Sequence, residues 1–352
     1  MKIHLSVVAV LLSATAFAQT ITYESVDITN PENTDWPSKY PIFKSVTKPQ
    51  AAETLNIALQ IADFKKCNTK KNPKAIQADM DHAWNFTVSR PTPRLIQVTT
   101  VMTILAFGMQ VSPYDNVFVY YFDAETGDRL YPYSFFKNGT FIKTRDLAIS
   151  GLLKAMLKRK KELLNEHADM DPTELFESDY DKGCEDEILQ EWDFETVKLN
   201  FTKDAIVFIV HDCENGIPRR THELFTTSVP LQSLKSYLSP VYDYYLNNGP
   251  KPAIDYVDHI FRGTIGTNIP VTIMLRRIKE STALTGYEVY DNHGVAIELK
   301  GDLTTKNVYF DEIDGDQTLA TYFIEVKGDV LTGTWTKADN SKTLPVKATI
   351  PH

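Results

Sequence analysis

The C-terminal part of the chain, from Ile260 onward, shows no helical hydrophobic period and is divided into short runs by turn residues such as "DNHG", "DGD" and "KGD". Strands are predicted at 260–266, 269–277, 283–290, 295–301, 306–312, 318–325, 329–335 and 343–350. Because short, evenly spaced strands each have a face to bury, they pair with their neighbours as an antiparallel meander. The pattern predicts an all-β domain, closed into a small barrel or folded as a sandwich.

The part of the chain before residue 250 mixes helical and strand patterns. Apolar residues recur at helical spacing in "KPQAAETLNIALQIADFKK" and again from Thr144 to Asn165. Runs rich in β-branched and aromatic residues, "AWNFTVSR", "RLIQVTTVMTILAFGMQV" and "NVFVYYFD", predict strands. We therefore expect an α+β N-terminal region, an antiparallel sheet with two main helices.

The boundary between the two regions is predicted at "NNGPKPAIDY", where a glycine and two prolines precede a change of pattern. We divide the chain into a signal peptide (1–18), an α+β domain (19–250), a linker (251–259) and the all-β domain (260–352).

The N-terminus "MKIHLSVVAVLLSATAFAQT" has the features of a secretory signal. Lys2 precedes an apolar run, and Ala16-Phe17-Ala18 is a small-x-small cleavage site. No second apolar run of about 18 residues follows, so no transmembrane segment is predicted in the mature protein. The expected location is the periplasm or the exterior, after cleavage behind Ala18.

The charge of the protein limits the partners that it can bind. The net charge of −9 argues against nucleic acid and anionic membranes and permits a basic protein partner.

The three cysteines predict a disulfide. In an oxidising compartment two of Cys67, Cys184 and Cys213 are expected to pair. We favour Cys184 with Cys213, which lie just outside two adjacent predicted strands, although spacing alone does not decide the pairing.

Motifs for common enzyme classes are absent. The chain has no G-x-S-x-G, no P-loop and no dinucleotide-binding glycine pattern, and His222-Glu223 lacks the second histidine of H-E-x-x-H. In "VHDC", His211 near Cys213 suggests a cysteine nucleophile, but half of a disulfide is the favoured interpretation. We name no catalytic, cofactor-binding or metal-binding residue and expect no cofactor, while a carboxylate pair for glycan cleavage stays open.

The stretch "YYFDAETGDRLYPYSFF" places Asp123, Glu125 and Asp128 around Gly127. An EF-hand loop needs glycine at position 6 and a carboxylate at position 12, whereas, counted from Asp123, Gly127 falls at position 5 and Ser134 at position 12. The favoured interpretation is a hairpin turn in which Gly127 has a positive φ and Asp123 and Thr126 bond nearby backbone groups.

Three stretches resemble a family of exported bacterial domains of unknown function. They are "YPIFKSVTKPQAAETLNIALQ", "YYFDAETGDRLYPYSFF" and "FTKDAIVFIVHDCENGIPRRTHELFTTSVPLQSLKSYL". In that family a Tyr-Pro pair, here Tyr40-Pro41, precedes an Asn-containing helix, here with Asn56. Such domains occur in the extracellular region of a lysozyme-sensing anti-sigma factor and beside peptidoglycan deacetylase domains. The resemblance implies a binding or sensing module of the cell envelope and carries over no catalytic residue.

The C-terminal domain resembles small β domains attached to this family, through "TGYEVYDNHGVAIELKG" and "GDVLTGTWT". Trp335, with Gly333 and Thr334, is a candidate ligand-facing aromatic in a cup. The favoured interpretation is that Trp335 anchors the core and Gly333 leaves room for it.

The leading functional hypothesis is an exported, non-enzymatic envelope protein that binds a glycan, a peptidoglycan fragment or a basic protein such as lysozyme. The alternatives are a cell-wall hydrolase that uses a carboxylate pair, and a structural protein of envelope assembly. The oligomeric state is not predicted.

Overall fold

The computed structural model of the protein describes residues 21–32, 34–67, 78, 79, 81–104, 114–169, 171, 198–211, 224–252, 259–277, 281–304 and 307–351. Within these ranges no helix is both long and apolar enough to cross a membrane. The described chain forms three antiparallel sheets, with helices packed against them, and a closed C-terminal barrel.

The C-terminal domain is an eight-stranded antiparallel barrel. Its strands are β10 (Ile260–Ile265), β11 (Ile269–Arg277), β12 (Ala283–Tyr290), β13 (Ala296–Leu303), β14 (Asn307–Asp314), β15 (Gln317–Lys327), β16 (Val330–Lys337) and β17 (Thr343–Thr349). Each strand pairs with the next, and β10 also pairs with β17. Closure therefore leaves no free edge, and the open choice between barrel and sandwich is decided for the barrel.

Side chains alternate between the inside and the outside of the barrel along each strand. On β11, Val271, Ile273 and Leu275 belong to the barrel core, which also includes Phe310 and Tyr322. Residues on the outer side of the same strands, such as Met274 of β11 and Val289 of β12, belong to the core of the N-terminal region instead. The barrel wall is thus buried on both sides where the two regions meet.

The N-terminal region begins with the hairpin β1 (Thr22–Asp27) and β2 (Lys39–Lys44), followed by helix α1 (Pro49–Phe64). Pro49 occupies the first turn, where its missing N–H costs nothing, and Lys65 ends the helix in a left-handed conformation. The side-chain amide of Asn56, on α1, makes two hydrogen bonds with Phe43 on β2. It accepts from the Phe43 N–H and donates to the Phe43 carbonyl. These bonds fix α1 against the hairpin.

A second sheet contains β3 (His82–Thr92), β4 (Leu95–Ile104), β5 (Tyr114–Asp123) and β6 (Arg129–Leu130). The turn between β5 and β6 is the predicted one, with Gly127 at φ +77°. A hairpin with this turn implies a second strand over "RLYPYSFF", but that strand ends at Leu130, because Pro132 begins a 3₁₀ helix, Pro132–Phe135. The proline ring fixes φ and removes the N–H that a strand ladder would use.

The third sheet contains β7 (Lys198–Phe201), β8 (Ala205–His211) and β9 (Leu224–Pro230). Helix α2 (Phe141–Glu166) packs its buried stripe, which includes Leu152 and Met156, in the same core as this sheet. Two short helices follow, α3 (Leu231–Leu234) and α4 (Pro240–Leu246). Pro240 occupies the first position of α4, where its missing N–H is tolerated.

The two regions are joined by polar contacts around the shared apolar core. Arg262 of β10 pairs with Glu53 of α1 at 2.8 Å. The Lys65 ammonium donates to the Tyr287 hydroxyl at 2.8 Å, and the Tyr133 hydroxyl donates to the Arg277 carbonyl at 2.8 Å. These contacts hold the barrel against α1 and the 3₁₀ helix that follows β6. An open cleft lies beside them.

Candidate functional site

The cleft contains a cavity of about 180 Å³ at the junction of four segments. The β5–β6 hairpin forms its floor, α4 one wall, the start of the linker its rim, and the residue before β10 the barrel side. Its lining side chains include Asp123, Asp128, Arg129, Tyr131, Tyr244, Tyr245, Lys251 and His259. A single water needs only about 10–15 Å³ of such space, so the cavity has room for a small molecule.

Asp123, on the floor, has its carboxylate fully engaged. The Tyr245 hydroxyl donates to Oδ2 at 2.6 Å. The backbone N–H groups of Glu125 and Thr126 donate to Oδ1 at 2.5 and 3.2 Å. Burial, followed by the negative charge of Asp123, raises the pKa of Tyr245 far above its ordinary value, so this tyrosine stays a hydrogen-bond donor. The Asp123 carboxylate therefore shapes the cleft and ties the hairpin to α4.

Asp128, at the other end of the turn, faces the barrel. Its Oδ2 lies 2.9 Å from Nδ1 of His259, and the side chains are 9% and 14% exposed. The imidazole therefore lies against a largely buried carboxyl group, which needs a polar partner. This contact also joins the hairpin to the first strand of the barrel.

Gly127 places the turn against helix α1. A Cβ at this position would collide with the carbonyl oxygen of Ala51, and the φ of +77° disfavours any other residue. Lys48, just before α1, pairs with Glu125 of the turn. The hairpin is thus held on the helix side as well as on the α4 side.

Tyr244 and Tyr245 enter from α4, whose N-cap is Ser239. The guanidinium of Arg94 lies 4.4 Å from the centre of the Tyr244 ring and donates to the Tyr244 carbonyl at 2.8 Å. The Tyr244 and Tyr245 rings contact each other edge to face at 4.9 Å. Tyr244 is half-buried, so one part of its ring is held by Arg94 while another part lines the cavity.

Arg129 and Lys251 are the other cations of the cleft. The Arg129 guanidinium lies 4.8 Å from the centre of the Tyr120 ring and 4.9 Å from that of Tyr131. In the part of the chain that the structure describes, no carboxylate lies within ion-pair distance of either Arg129 or Lys251. Lys251 is exposed at the rim. Asp123 and Asp128 therefore have polar partners within the protein. Arg129 and Lys251 have no carboxylate partner in the described ranges, and we call these two cations unengaged.

Asp63 of α1 lies behind the floor of the cleft. The hydroxyls of Tyr120, Tyr40 and Thr100 donate to its carboxylate at 2.6, 2.9 and 3.2 Å. Burial of the carboxyl group raises the pKa of Asp63 to about 6, although these three hydrogen bonds and the charge of Arg129 lower it. The charges of Asp63 and Arg129 therefore act on each other.

A second group of acids lies inside the barrel. Tyr322 donates to Oε1 of Glu288, and both Tyr290 and Trp335 donate to Oε1 of Glu312, at 2.7 and 2.6 Å. Glu288 and Glu312 are 0% and 2% exposed. Burial, followed by the charge of Glu312 and a hydrogen bond with it, raises the pKa of Glu288 well above its ordinary value. The Glu288 carboxyl group therefore keeps its proton to a higher pH than an ordinary glutamate does.

Trp335, the aromatic singled out in the sequence, is half-buried and packs against the barrel core. Its indole N–H is engaged by Glu312. The structure thus places Trp335 among the barrel acids and away from the cleft residues. Whether it contacts a ligand stays a prediction.

The other predicted site residues are Cys184 and Cys213, which lie outside the described residues, so their disulfide stays a prediction. No disulfide is seen in the described ranges. Nor do those ranges bring three or more His, Cys, Asp or Glu side chains together as a metal site. The basic run from Lys158 to Lys161 lies on the last turns of α2, where Arg159 pairs with Glu166 at 2.9 Å.

Sequence reasoning identified the turn at Gly127 but missed the cleft beside it. Tyr244, Lys251 and His259 are distant from the hairpin in sequence, and no motif joins them. One local signal was available: the aromatic and acidic residues of the hairpin are repeated in "VYDYYL", immediately before the linker.

No protein-family model and no curated protein sequence matches the chain. Among solved structures, the chain is similar to a DUF3298 family protein from Pseudomonas aeruginosa PAO1, with 12% identity and a TM-score of 0.34, over 66% of this chain and 96% of that chain. It is also similar to a DUF3298 family member from Bacteroides fragilis NCTC 9343, with 12% identity and a TM-score of 0.41, over 65% and 98% of the two chains. These structural neighbours belong to a bacterial domain family of unknown function.

Proposed function

We propose that the protein is an exported, non-enzymatic envelope protein that binds a glycan or peptidoglycan fragment in the cleft between the β5–β6 hairpin, α4 and the barrel. The proposal rests on the composition of the cavity lining. Tyrosine side chains line it, its acids Asp123 and Asp128 have partners within the protein, and its cations Arg129 and Lys251 are unengaged. Ligand sites commonly lie at domain interfaces and combine aromatic walls with a few fixed polar groups. Tyr244 is such an aromatic side chain, and Asp123 and Asp128 are polar groups held in place by Tyr245 and His259.

The resemblance to domains of a lysozyme-sensing anti-sigma factor and of peptidoglycan deacetylases supports an envelope role. The signal-like N-terminus supports export. The net charge of −9 also favours encounter with a basic protein such as lysozyme, with a strong dependence on salt. A cavity of about 180 Å³ suits a sugar better than a protein surface.

The hydrolase alternative has less support. A retaining or inverting glycosidase needs two carboxyl groups that both reach the substrate, separated by about 5–10 Å. In the cleft, Asp123 is engaged by Tyr245 and backbone N–H groups, and Asp128 by His259. The barrel pair, Glu288 and Glu312, is closed off from solvent.

A sedimentation assay tests the proposal. Purified protein is incubated with insoluble peptidoglycan and, separately, with immobilised lysozyme, at low and moderate salt. We expect retention on peptidoglycan at both salt concentrations. Retention on neither material would refute the proposal. Retention on lysozyme alone, lost at moderate salt, would instead support binding of a basic protein.

Variants locate the binding surface. Tyr244→Ala removes the ring from the cleft while the Tyr244 carbonyl still accepts from Arg94, and we expect about fivefold weaker retention from the lost aromatic contact. The matched control is Tyr309→Ala, because Tyr309 is a 47% exposed tyrosine on the outer wall of the barrel. Thermal unfolding confirms that both variants fold. An effect of Tyr309→Ala in place of Tyr244→Ala would contradict the proposed site.

A further inference from the structure

The cleft carries a charge pattern that narrows the class of sugar it accepts. Its two acids have partners within the protein: the Tyr245 hydroxyl and backbone N–H groups donate to Asp123, and Asp128 lies 2.9 Å from His259. A ligand cation would find no unengaged carboxylate among these two residues. Recognition of a charged ligand is therefore left to the cations of the cleft.

The two unengaged cations differ in how they are held. Arg129 is half-buried, and its guanidinium lies against the rings of Tyr120 and Tyr131, at 4.8 and 4.9 Å from their centres. This contact fixes the position of the guanidinium while leaving its N–H groups without a carboxylate in the described chain. Lys251 lines the same cavity at the start of the linker and is exposed. Its ammonium group is carried on a long, flexible side chain. A fixed, planar donor and a flexible ammonium on one cavity are suited to a carboxylate.

Other charges near the cleft do not cancel this pattern. The charge of Asp63 acts on Arg129, but its carboxylate already accepts hydrogen bonds from three hydroxyls, those of Tyr120, Tyr40 and Thr100. Arg276 lies 4.9 Å from the Tyr131 ring and adds a further positive charge to this side. The protein as a whole has a net charge of −9, so a non-specific attraction of anions is not expected.

We propose that the cleft selects a saccharide that bears a carboxylate, with the acid group bound between Arg129 and Lys251 and the sugar ring against Tyr244. This inference rests on the proposed glycan-binding function and adds the chemical class of the ligand. Binding is non-covalent, and the ligand leaves unchanged.

Two disaccharides of similar size test the inference by isothermal titration calorimetry on the whole mature protein. One carries a carboxylate, N-acetylglucosaminyl-N-acetylmuramic acid, and the other, N,N′-diacetylchitobiose, is neutral. We expect the acidic sugar to bind at least about tenfold more tightly, the ratio that one charge-assisted hydrogen bond provides. The affinity for the acidic sugar should fall as salt is raised, and that for the neutral sugar should not.

Lys251→Met tests the assignment without disturbing the core, because Lys251 is exposed. We expect about fivefold weaker binding of the acidic sugar, within the range for an exposed ion pair, and unchanged binding of the neutral one. Lys347→Met on the outer face of β17 is the matched control and should change neither affinity.

The outcomes separate the two proposals. Equal affinities for the two sugars, or a loss that Lys347→Met reproduces, would overturn the acid selectivity and leave glycan binding standing. Binding of neither sugar would overturn both. Preference for the acidic sugar that Lys251→Met reduces would support both.

Discussion

The protein contains two groups of acids and tyrosines that differ in what surrounds them. In the barrel, Glu288 and Glu312 are closed in by Tyr290, Tyr322 and Trp335. In the cleft, Asp123 and Asp128 are engaged by Tyr245 and His259, and a cavity with two cations opens beside them. The same residue types thus stabilise a closed core in one region and frame an accessible cavity in the other. Access and unengaged charge, more than composition, therefore distinguish a site from a core.

Breaking the barrel group should have the largest effect on stability. Trp335→Ala removes a large side chain that packs on the core and takes away one donor to Glu312. We expect a loss of about 3 kcal/mol in the free energy of unfolding, at the lower end for such truncations because Trp335 is half-buried. Urea denaturation measures this loss. Tyr309→Ala, on the exposed outer wall, is the control, and a loss below about 1 kcal/mol for Trp335→Ala would show that the group is not part of the core.

The raised pKa of Glu288 should make the stability of the protein depend on pH. Because the pKa of Glu288 is raised above 4.5, the folded protein keeps a proton that the unfolded chain releases, so stability falls as pH rises from 4.5 towards the raised pKa. Glu288→Gln keeps a hydrogen-bond acceptor for Tyr322 and supplies an uncharged N–H donor to Glu312. The stability difference between variant and native protein should grow by about 1.4 kcal/mol per pH unit over that window.

Denaturation midpoints measured at several pH values check this prediction. Glu298→Gln, on the outer face of β13 and paired with Lys300, serves as the control and should leave the pH profile unchanged. Parallel profiles for Glu288→Gln and the native protein would mean that Glu288 is ionised in the folded state.

Asp63, which is buried behind the cleft, is a second carboxyl group with a raised pKa. Its pKa rises from 3.8 in the unfolded chain to about 6, so its contribution to stability is fully present below pH 3.8 and is lost as pH rises through 6. Asp63→Asn removes the charge and should make the protein more stable by about 2 kcal/mol at pH 7.5. The gain should shrink between pH 6 and pH 4, and a gain that is constant with pH would contradict the assignment.

The smallest effect is expected in the cleft. Tyr245→Phe removes the hydroxyl that donates to Asp123, but the backbone donors from Glu125 and Thr126 remain. We expect a loss of about 1 kcal/mol in urea denaturation, as for one hydrogen bond. If the loss exceeded that of Trp335→Ala, the cleft would be the more important structural core and the comparison would be reversed.

Much of the fold could be predicted because its signals are local. The strands of the barrel are separated by their own turn residues, and their predicted limits lie within a few residues of β10 to β17. The helix beginning at Pro49 and the turn at Gly127 likewise depend on nearby residues. Barrel closure was not determined by local sequence, since it depends on the pairing of β10 with β17, the first and last strands of the domain.

The cleft could not be predicted because its parts meet only in the folded chain. The sequence explains Asp123 and Asp128 as turn residues, and they do form the turn. Their second role depends on Tyr245 and His259, which are more than 100 residues away along the chain. The barrel acids were invisible for the same reason, since Glu288 and Glu312 come together across separate strands.

The most direct test of the account is a crystal structure of the protein with N-acetylglucosaminyl-N-acetylmuramic acid. We predict density for the sugar in the cleft, with a ring against Tyr244 and the carboxylate between Arg129 and Lys251. A sugar bound instead on the exposed aromatic pair of the barrel wall, Tyr309 and Phe323, whose ring centres are 4.8 Å apart, would contradict it.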